Sequence, residues 1–341
     1  MTELFLGVDG GGTKTVAVIA DGNGHIVAAG RAGGSNYQSI GETAAGRELR
    51  AAIDVALRGA GARLEDLTAG AFGISGADRA PEMAIVERMV AQVSPVPRRF
   101  VENDSLLVLR AATKDAVGVG LVAGTGTNCI GRDRYGRRHQ VGGMGALSGD
   151  VGYAEDLSMR AIGGAWMASD GRAAPSALTA SVPKALGVES IEDVPRILVR
   201  GEFPEPMVKK VVTCLFEEAR NGDGMAQRII EDTGARLGAA AAAVLRALML
   251  RGPNAVVVLG GAMFQSPGHG LLVEATHRRI RQAIAEAHVI PLEVHPVLGA
   301  VLFARDLLGH APLAFANQLR AENDEVGRIL SEATGRIHSP A

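Results

Sequence analysis

The chain has 341 residues, with 35 Lys+Arg against 37 Asp+Glu and a formal net charge of −2. At about 100–200 residues per domain, this length implies two domains. Hydrophobic residues make up 47% and charged residues 21%, which excludes a disordered chain, and the near-neutral balance carries no basic footprint for nucleic acid or an anionic membrane.

Glycine is over-represented at 45 residues, nearly twice the usual share of about 7%. No Gly-X-Y period accompanies it, so a collagen-like chain is excluded. Cys129 and Cys214 are too few for a disulfide framework and lack metal-site spacing. Met1–Leu6 shows no basic or long apolar leader, and the uncharged stretch Ala116–Gly131 is broken by Gly, Thr and Asn. A cytoplasmic setting is therefore expected.

Leu4–Val8 and Thr15–Ala20 read as strands, and Asp21-Gly22-Asn23-Gly24 as a turn into a third at His25–Ala29. Thr43–Leu57 has helical spacing. A strand at Ala69–Ile74, a helix at Pro81–Val93, a short strand at Arg99–Val101 and a helix at Ser105–Ala112 follow. The pattern then restarts with strands at Val117–Ala123, Asn128–Gly131 and His139–Val141. Each half reads strand, Gly/Thr-rich turn, strand, turn, strand, Gly-Gly, a weak internal repeat. Helices are expected at Tyr153–Ala168, Ser176–Leu186, Pro206–Arg220 and Met225–Leu250. A strand at Ala255–Leu259, a helix at Leu271–Ala287, a strand at Leu292–His295 and a helix at Gly299–Leu308 complete an α/β order. Residues 312–341 read as an appended helix with a frayed end.

The turn Gly10-Gly11-Gly12-Thr13-Lys14 suits close approach of backbone N–H groups to an anion, with glycines free to take φ > 0. Asp9 beside it is a candidate Mg²⁺ partner. The segment fails the P-loop pattern, because Thr13-Lys14 stand in the wrong order. It fails the dinucleotide fingerprint, because a strand rather than a helix follows. An ordinary glycine hairpin is the alternative. Gly124-Thr125-Gly126-Thr127-Asn128 forms a second such hairpin, and Gly260-Gly261 end a third strand.

Asp104 ends a strand, where a carboxylate in an α/β sheet faces the ligand crevice and can accept a proton from an attacking hydroxyl. The residues alone equally allow a helix cap. Asp150 likewise reads as a polyol or Mg²⁺ ligand, or as a cap for a helix from Val151. Asn36 and the loop Ser75-Gly76-Ala77-Asp78 are polar strand-end positions, able to line a polyol site or merely to turn the chain. No histidine spacing suits a metal, and no Ser or Cys nucleophile arrangement stands out.

In this order the loops resemble those of the actin-like, hexokinase and heat-shock-protein ATPase superfamily. More closely, they resemble the N-acetylglucosamine kinase and BadF/BadG/BcrA/BcrD ATPase family. The carrying segments are Val8–Thr15, Gly124–Asn128, Gly142-Gly143-Met144-Gly145 followed by Gly149-Asp150, Leu259–Phe264 and Gly299-Ala300. The resemblance spans about residues 4–310. It implies two ribonuclease-H-like domains closing over Mg²⁺-ATP and a sugar, with the N-terminal domain over residues 1–116 and the C-terminal domain over 117–298. Residues 299–341 are expected to form C-terminal helices, the first of them packing back on the N-terminal domain.

By that resemblance Asp104 is the catalytic base and Asp9 the Mg²⁺-associated residue. Gly10, Gly11, Gly12, Thr13, Lys14, Thr125 and Gly126 face ATP phosphates, and Gly260 and Gly261 the adenosine. Asn36, Ser75, Gly76, Thr127, Asn128, Gly143, Met144, Gly145 and Asp150 contact the sugar. Met144, Val151 and Tyr153 depart from the family's usual Trp, Glu and Ser. The implied activity is ATP-dependent phosphorylation of N-acetylglucosamine or a related amino sugar or hexose, with no nucleic acid or membrane partner. A homodimer is the matching expectation. The alternatives are an ATPase that couples nucleotide state to a partner enzyme, and a degenerate sugar-sensing homologue.

Overall fold

The computed structural model describes residues 3–198, 203–266 and 268–335. The first half runs β1 (Leu4–Gly10), β2 (Lys14–Asp21), β3 (Ile26–Gly33), α1 (Tyr37–Ile40), α2 (Glu42–Ala60), β4 (Ala69–Ile74), α3 (Ala80–Val93), β5 (Arg99–Glu102) and α4 (Asp104–Ala112). The second half begins with β6 (Gly118–Ala123), β7 (Thr127–Arg132) and β8 (Arg138–Gly142). A helical insert follows: α5 (Ala154–Ser169), α6 (Leu178–Leu186), α7 (Val194–Leu198), α8 (Glu205–Arg220) and α9 (Gly224–Ala247). The chain then returns through β9 (Val256–Gly260), α10 (Ala262–Gln265), α11 (Gly270–Ala283), β10 (His288–Pro291) and α12 (Val297–Asp306). Two last helices, α13 (Leu313–Ala321) and α14 (Asn323–Gly335), close it.

The strands form two five-stranded sheets, ordered β3-β2-β1-β4-β5 and β8-β7-β6-β9-β10. In each, the first three strands are antiparallel and the last two join in parallel. The weak repeat in sequence is thus a full repeat of topology, that of the ribonuclease-H-like, actin-like ATPase fold.

Glycines on the central strands let helices approach closely. A Cβ on Gly120 of β6 would lie 2.1 Å from the Ser105 carbonyl oxygen of α4. One on Gly7 of β1 would lie 2.5 Å from the Val301 nitrogen of α12. A Cβ on Gly299 would lie 2.1 Å from the Leu107 carbonyl oxygen, so α4 and α12 also meet each other without side chains between them. Each helix therefore sits directly on strand backbone. Gly234 and Gly238 of α9 have the same use: their Cβ atoms would come within 2.6 Å of Ala275 Cβ and 2.7 Å of the Thr276 carbonyl oxygen in α11.

The C-terminal helices lie on the first sheet. The Ile26 N–H donates to Glu322 Oε2 at 2.6 Å, and Phe315 meets Phe5 edge-on at 5.8 Å. Leu319, Val326 and Leu330 are buried there. The single appended helix expected over residues 312–341 is two helices, α13 and α14, and residues 336–341, where a frayed end was expected, lie outside the described residues.

Four further expectations are corrected. The last strand is His288–Pro291 rather than Leu292–His295, and α11 ends at Ala283 rather than Ala287. Apolar alternation in Leu292-Glu293-Val294 misplaced it. Sheet pairing runs His288↔Val256 to Pro291↔Leu259, and an edge strand tolerates proline's missing N–H. The short helices α1, α7 and α10 were not expected, because four or five residues leave no periodicity to read. Finally, the long helix stops at Ala247 rather than Leu250, with Met249 at φ 54° just beyond it.

Candidate functional site

The two Gly/Thr turns face each other across the mouth between the sheets. Thr13 Oγ1 and Thr125 Oγ1 are 2.9 Å apart, although the residues are exposed and far separated in sequence. Gly10–Lys14 joins β1 to β2, and its Gly11 N–H donates to the Lys14 carbonyl at 3.0 Å. Gly124–Gly126 joins β6 to β7. Gly261 lies beside it, where a Cβ would sit 2.4 Å from the Ala123 carbonyl oxygen. Gly10–Lys14, Thr125, Gly126, Gly260 and Gly261 are therefore gathered at adjoining strand ends.

The reason for the glycines differs from the one expected. Gly10, Gly11, Gly12, Gly124, Gly126 and Gly260 all keep φ outside the left-handed region. Gly10 needs the missing side chain, since a Cβ would meet Ser35 Oγ at 2.4 Å; Gly126 has nothing within 4 Å and simply leaves its backbone bare. Positive φ is used instead at Gly142, Gly143, Gly145, Gly149 and Gly261.

Beneath these turns lie two carboxylates. Asp9 is the last residue but one of β1, and burial raises its carboxyl to about 6 despite the opposing Lys14 charge. Asp104 is raised to about 7, first by burial and then by the negative charges of Asp9 and Asp78. Asp104 is not the helix cap that the residues alone allowed. Asn103 is the cap, its Oδ1 accepting from the Ser105 N–H at 2.9 Å, and Asp104 is the first helical residue. Neither the Asp9 nor the Asp104 carboxylate accepts a side-chain hydrogen bond among the described residues. A half-buried acid that neutralises near 7 can take a proton and give it up again.

The positions expected to meet a sugar divide into free and engaged groups. Asn36 caps α1, with Oδ1 accepting from Gln38 N–H, and Nδ2 lies 3.4 Å from Ser75 Oγ. Gly76, at φ 87°, packs against Asn36 Oδ1. Thr127 Oγ1 donates to the Val151 carbonyl at 2.8 Å. Asp150 does not cap a helix, because α5 starts at Ala154. Its Oδ2 instead accepts from the Gly143 N–H at 2.9 Å and from Ser148 Oγ at 2.8 Å, bracing the turn that carries Met144 and Gly145. Met144 is 50% exposed at that turn, whereas Val151 is only 5% exposed and belongs to the core of the second sheet.

Sequence reasoning missed the group that joins these parts. Asp78 Oδ1 accepts from Asn103 Nδ2, Asn128 Nδ2 and Gln140 Nε2, each at 2.9 Å. Arg138 of β8 pairs with Glu102 of β5 alongside. Asp78 stood in a polar loop already noted, but its partners lie 25, 50 and 62 residues away, and no local pattern signals that.

Comparison with known proteins fits this geometry. The model of the BadF/BadG/BcrA/BcrD ATPase family matches residues 6–304. The chain belongs to that family. An N-acetylmuramic acid/N-acetylglucosamine kinase of Clostridium acetobutylicum is 25% identical over 303 residues, covering 89% of this chain and 98% of the relative. An N-acetyl-D-glucosamine kinase of Dictyostelium discoideum is 27% identical over 319 residues, with the same two coverages. Among solved structures, a candidate N-acetylglucosamine kinase of Chromobacterium violaceum superposes with a TM-score of 0.68 at 23% identity, covering 89% of this chain and 99% of the other. A glucokinase of the ROK family from Streptomyces griseus, solved with glucose and AMPPNP, gives 0.57 at 19% identity, again covering 89% and 99%. Among the described residues, no helix is long and apolar enough to cross a membrane.

Proposed function

We propose that this protein is an ATP-dependent sugar kinase whose acceptor is N-acetylglucosamine or a related amino sugar. One observation carries the reading: the Asp104 carboxylate, raised to about 7, is held without a side-chain partner at the start of α4, coupled to the Asp9 carboxylate near the end of the strand before the Gly10–Lys14 turn. The two N-acetylglucosamine kinases similar to the chain over most of its length support the substrate class.

In this reading a sugar hydroxyl lies against Asp104. The carboxylate takes the hydroxyl proton as the oxygen bonds to the γ-phosphorus of ATP, and the bond from that phosphorus to the bridging oxygen breaks to release ADP. Backbone N–H groups of the two glycine turns, the Thr13 and Thr125 hydroxyls and Lys14 offset charge on the phosphates. Gly260 and Gly261 leave room for the adenosine. Asn36, Ser75 and Asn128 offer polar groups to sugar hydroxyls, with Gly76, Gly143, Met144 and Gly145 shaping the wall. Thr127 and Asp150 act there through the segments they brace.

Mg²⁺ fits the residues present. The Asp9 carboxylate is desolvated and makes no side-chain hydrogen bond among the described residues, while no group of three or more ligating side chains is found among them. A single protein carboxylate, with phosphate oxygens and water completing the shell, is the usual Mg²⁺ arrangement. When bound, the ion would neutralise phosphate charge.

The test is ADP release by purified protein with Mg²⁺-ATP across a panel of hexoses and N-acetylated amino sugars. Turnover that depends on an amino sugar, and is lost in Asp104→Asn, is expected. ATP hydrolysis indifferent to every sugar would refute the kinase reading and favour an ATPase coupled to a partner. No turnover at all would favour a sugar-sensing homologue.

A further inference from the structure

One carboxylate oxygen at the junction of the two sheets takes three amide donors, and none comes from its own segment. Asp78 follows β4. Asn103 precedes α4 in the same sheet system, whereas Asn128 and Gln140 belong to β7 and β8 of the other sheet. The Asn103 amide is used at both ends: Nδ2 donates to Asp78 and Oδ1 accepts from the Ser105 N–H that opens α4. Its orientation is thereby set, and with it the peptide that carries Asp104. Gln140 Nε2 also donates to Asn128 Oδ1 at 3.0 Å, so the far side of the hub is cross-braced. Above it, a Cβ on Gly143 would lie 2.4 Å from Gln140 Nε2 and 3.6 Å from Asp78 Oδ1, so the turn can rest on the hub only as glycine. The charged groups facing the hub are Arg79 and Glu82 from the start of α3, and Asp104 itself.

We propose that Asp78 is a positioning residue: through Asn103 it sets the start of α4 and the place of Asp104, and through Asn128 and Gln140 it ties that start to the C-terminal sheet. Asp104 is then held in place only while the two sheets are in register. In the kinase reading, on which the kinetic part rests, proton transfer is thereby coupled to the relative placement of the halves. Misplacing a reacting group by about 1 Å can cost about a hundredfold in rate, so a hub one residue removed from the base matters without touching substrate.

The test uses full-length Asp78→Ala and Asp78→Asn. In Asp78→Ala, kcat is expected to fall at least about tenfold while KM for ATP stays within about twofold, because the glycine turns proposed to hold ATP make no contact with Asp78 and only alignment is lost. Asp78→Asn keeps the shape and one acceptor oxygen, and should recover most of that loss. A crystal structure of Asp78→Ala should show the Asn103 amide turned and the Asp104 carboxylate displaced. Should Asp78→Ala not fold, Gln140→Leu removes one donor and should give the same split at about threefold. An unmoved Asp104 with wild-type kcat overturns the proposal. So does a loss shared by kcat, KM and unfolding midpoint that Asn does not rescue. If the wild type phosphorylates no sugar, the kinase reading fails, and the crystallographic comparison still decides the role of Asp78.

Discussion

Replacing Asp104 by Asn should inactivate the protein and, at alkaline pH, stabilise it. The carboxyl moves from 3.8 to about 7 on folding, because burial and the charges of Asp9 and Asp78 oppose its ionisation. A tenfold change in an equilibrium is about 1.4 kcal/mol, so the full displacement corresponds to about 4 kcal/mol. The side chain is half-buried at the cleft, and screening by water there brings the expected figure to about 2 kcal/mol. The sign follows from linkage. Below pH 3.8 both folded and unfolded Asp104 are protonated and the site costs nothing. As pH rises towards about 7 the unfolded carboxyl loses its proton first, and the wild type loses stability that the neutral Asn retains. The advantage of Asp104→Asn should therefore be near zero at about pH 4 and level off above about pH 7. Unfolding of both proteins by heat or urea, without nucleotide or Mg²⁺, at several pH values measures this; a gap of a few degrees is expected at pH 8. The same variant should lose about 10²- to 10⁴-fold in kcat, the usual contribution of a general base, and wild-type kcat should rise with pH through about 7. A stability difference that does not grow with pH, or near-wild-type kcat in Asp104→Asn, would refute the reasoning.

Two further outcomes follow from the packing and the cleft mouth. Gly120→Ala places a methyl 2.1 Å from the Ser105 carbonyl oxygen, so α4 must shift; thermal unfolding should report a loss of about 1–3 kcal/mol, with a fall in kcat from the displaced Asp104. Thr13→Val and Thr125→Val each remove a hydroxyl from the facing turns. Each should raise KM for ATP by up to about tenfold while leaving KM for the sugar unchanged, as read by ADP release against both substrates.

Much of the fold was legible locally. Short runs ended by glycine or polar turn residues marked nine of the ten strands, and the repeated order of strand, Gly/Thr turn, strand and turn announced two like halves. That follows because strand formation depends on a short run of side chains and the turn that ends it. That the loops carrying Asp9 and Asp104 lie side by side was legible for the same reason: each follows or closes a strand of the first sheet, and its parallel strands end together.

Other features depended on distance in space. Whether Asp104 was a cap or a free acid turned on its neighbour Asn103, whose side chain took the cap and left the Asp104 carboxylate with backbone partners alone. The purpose of the glycines was also hidden. Sequence suggested left-handed turns, whereas Gly7, Gly120 and Gly299 are required by helices that arrive from elsewhere in the chain. By itself the sequence determined the family, the repeat and the order of most strands, because those are matters of local pattern. Only the tertiary structure decided that Asp150 braces a turn, that Val151 is core, and that Asp78 joins the two sheets. Those outcomes depend on which donors come within about 3 Å of a carboxylate oxygen, and three of the decisive donors come from residues 25 to 62 positions away.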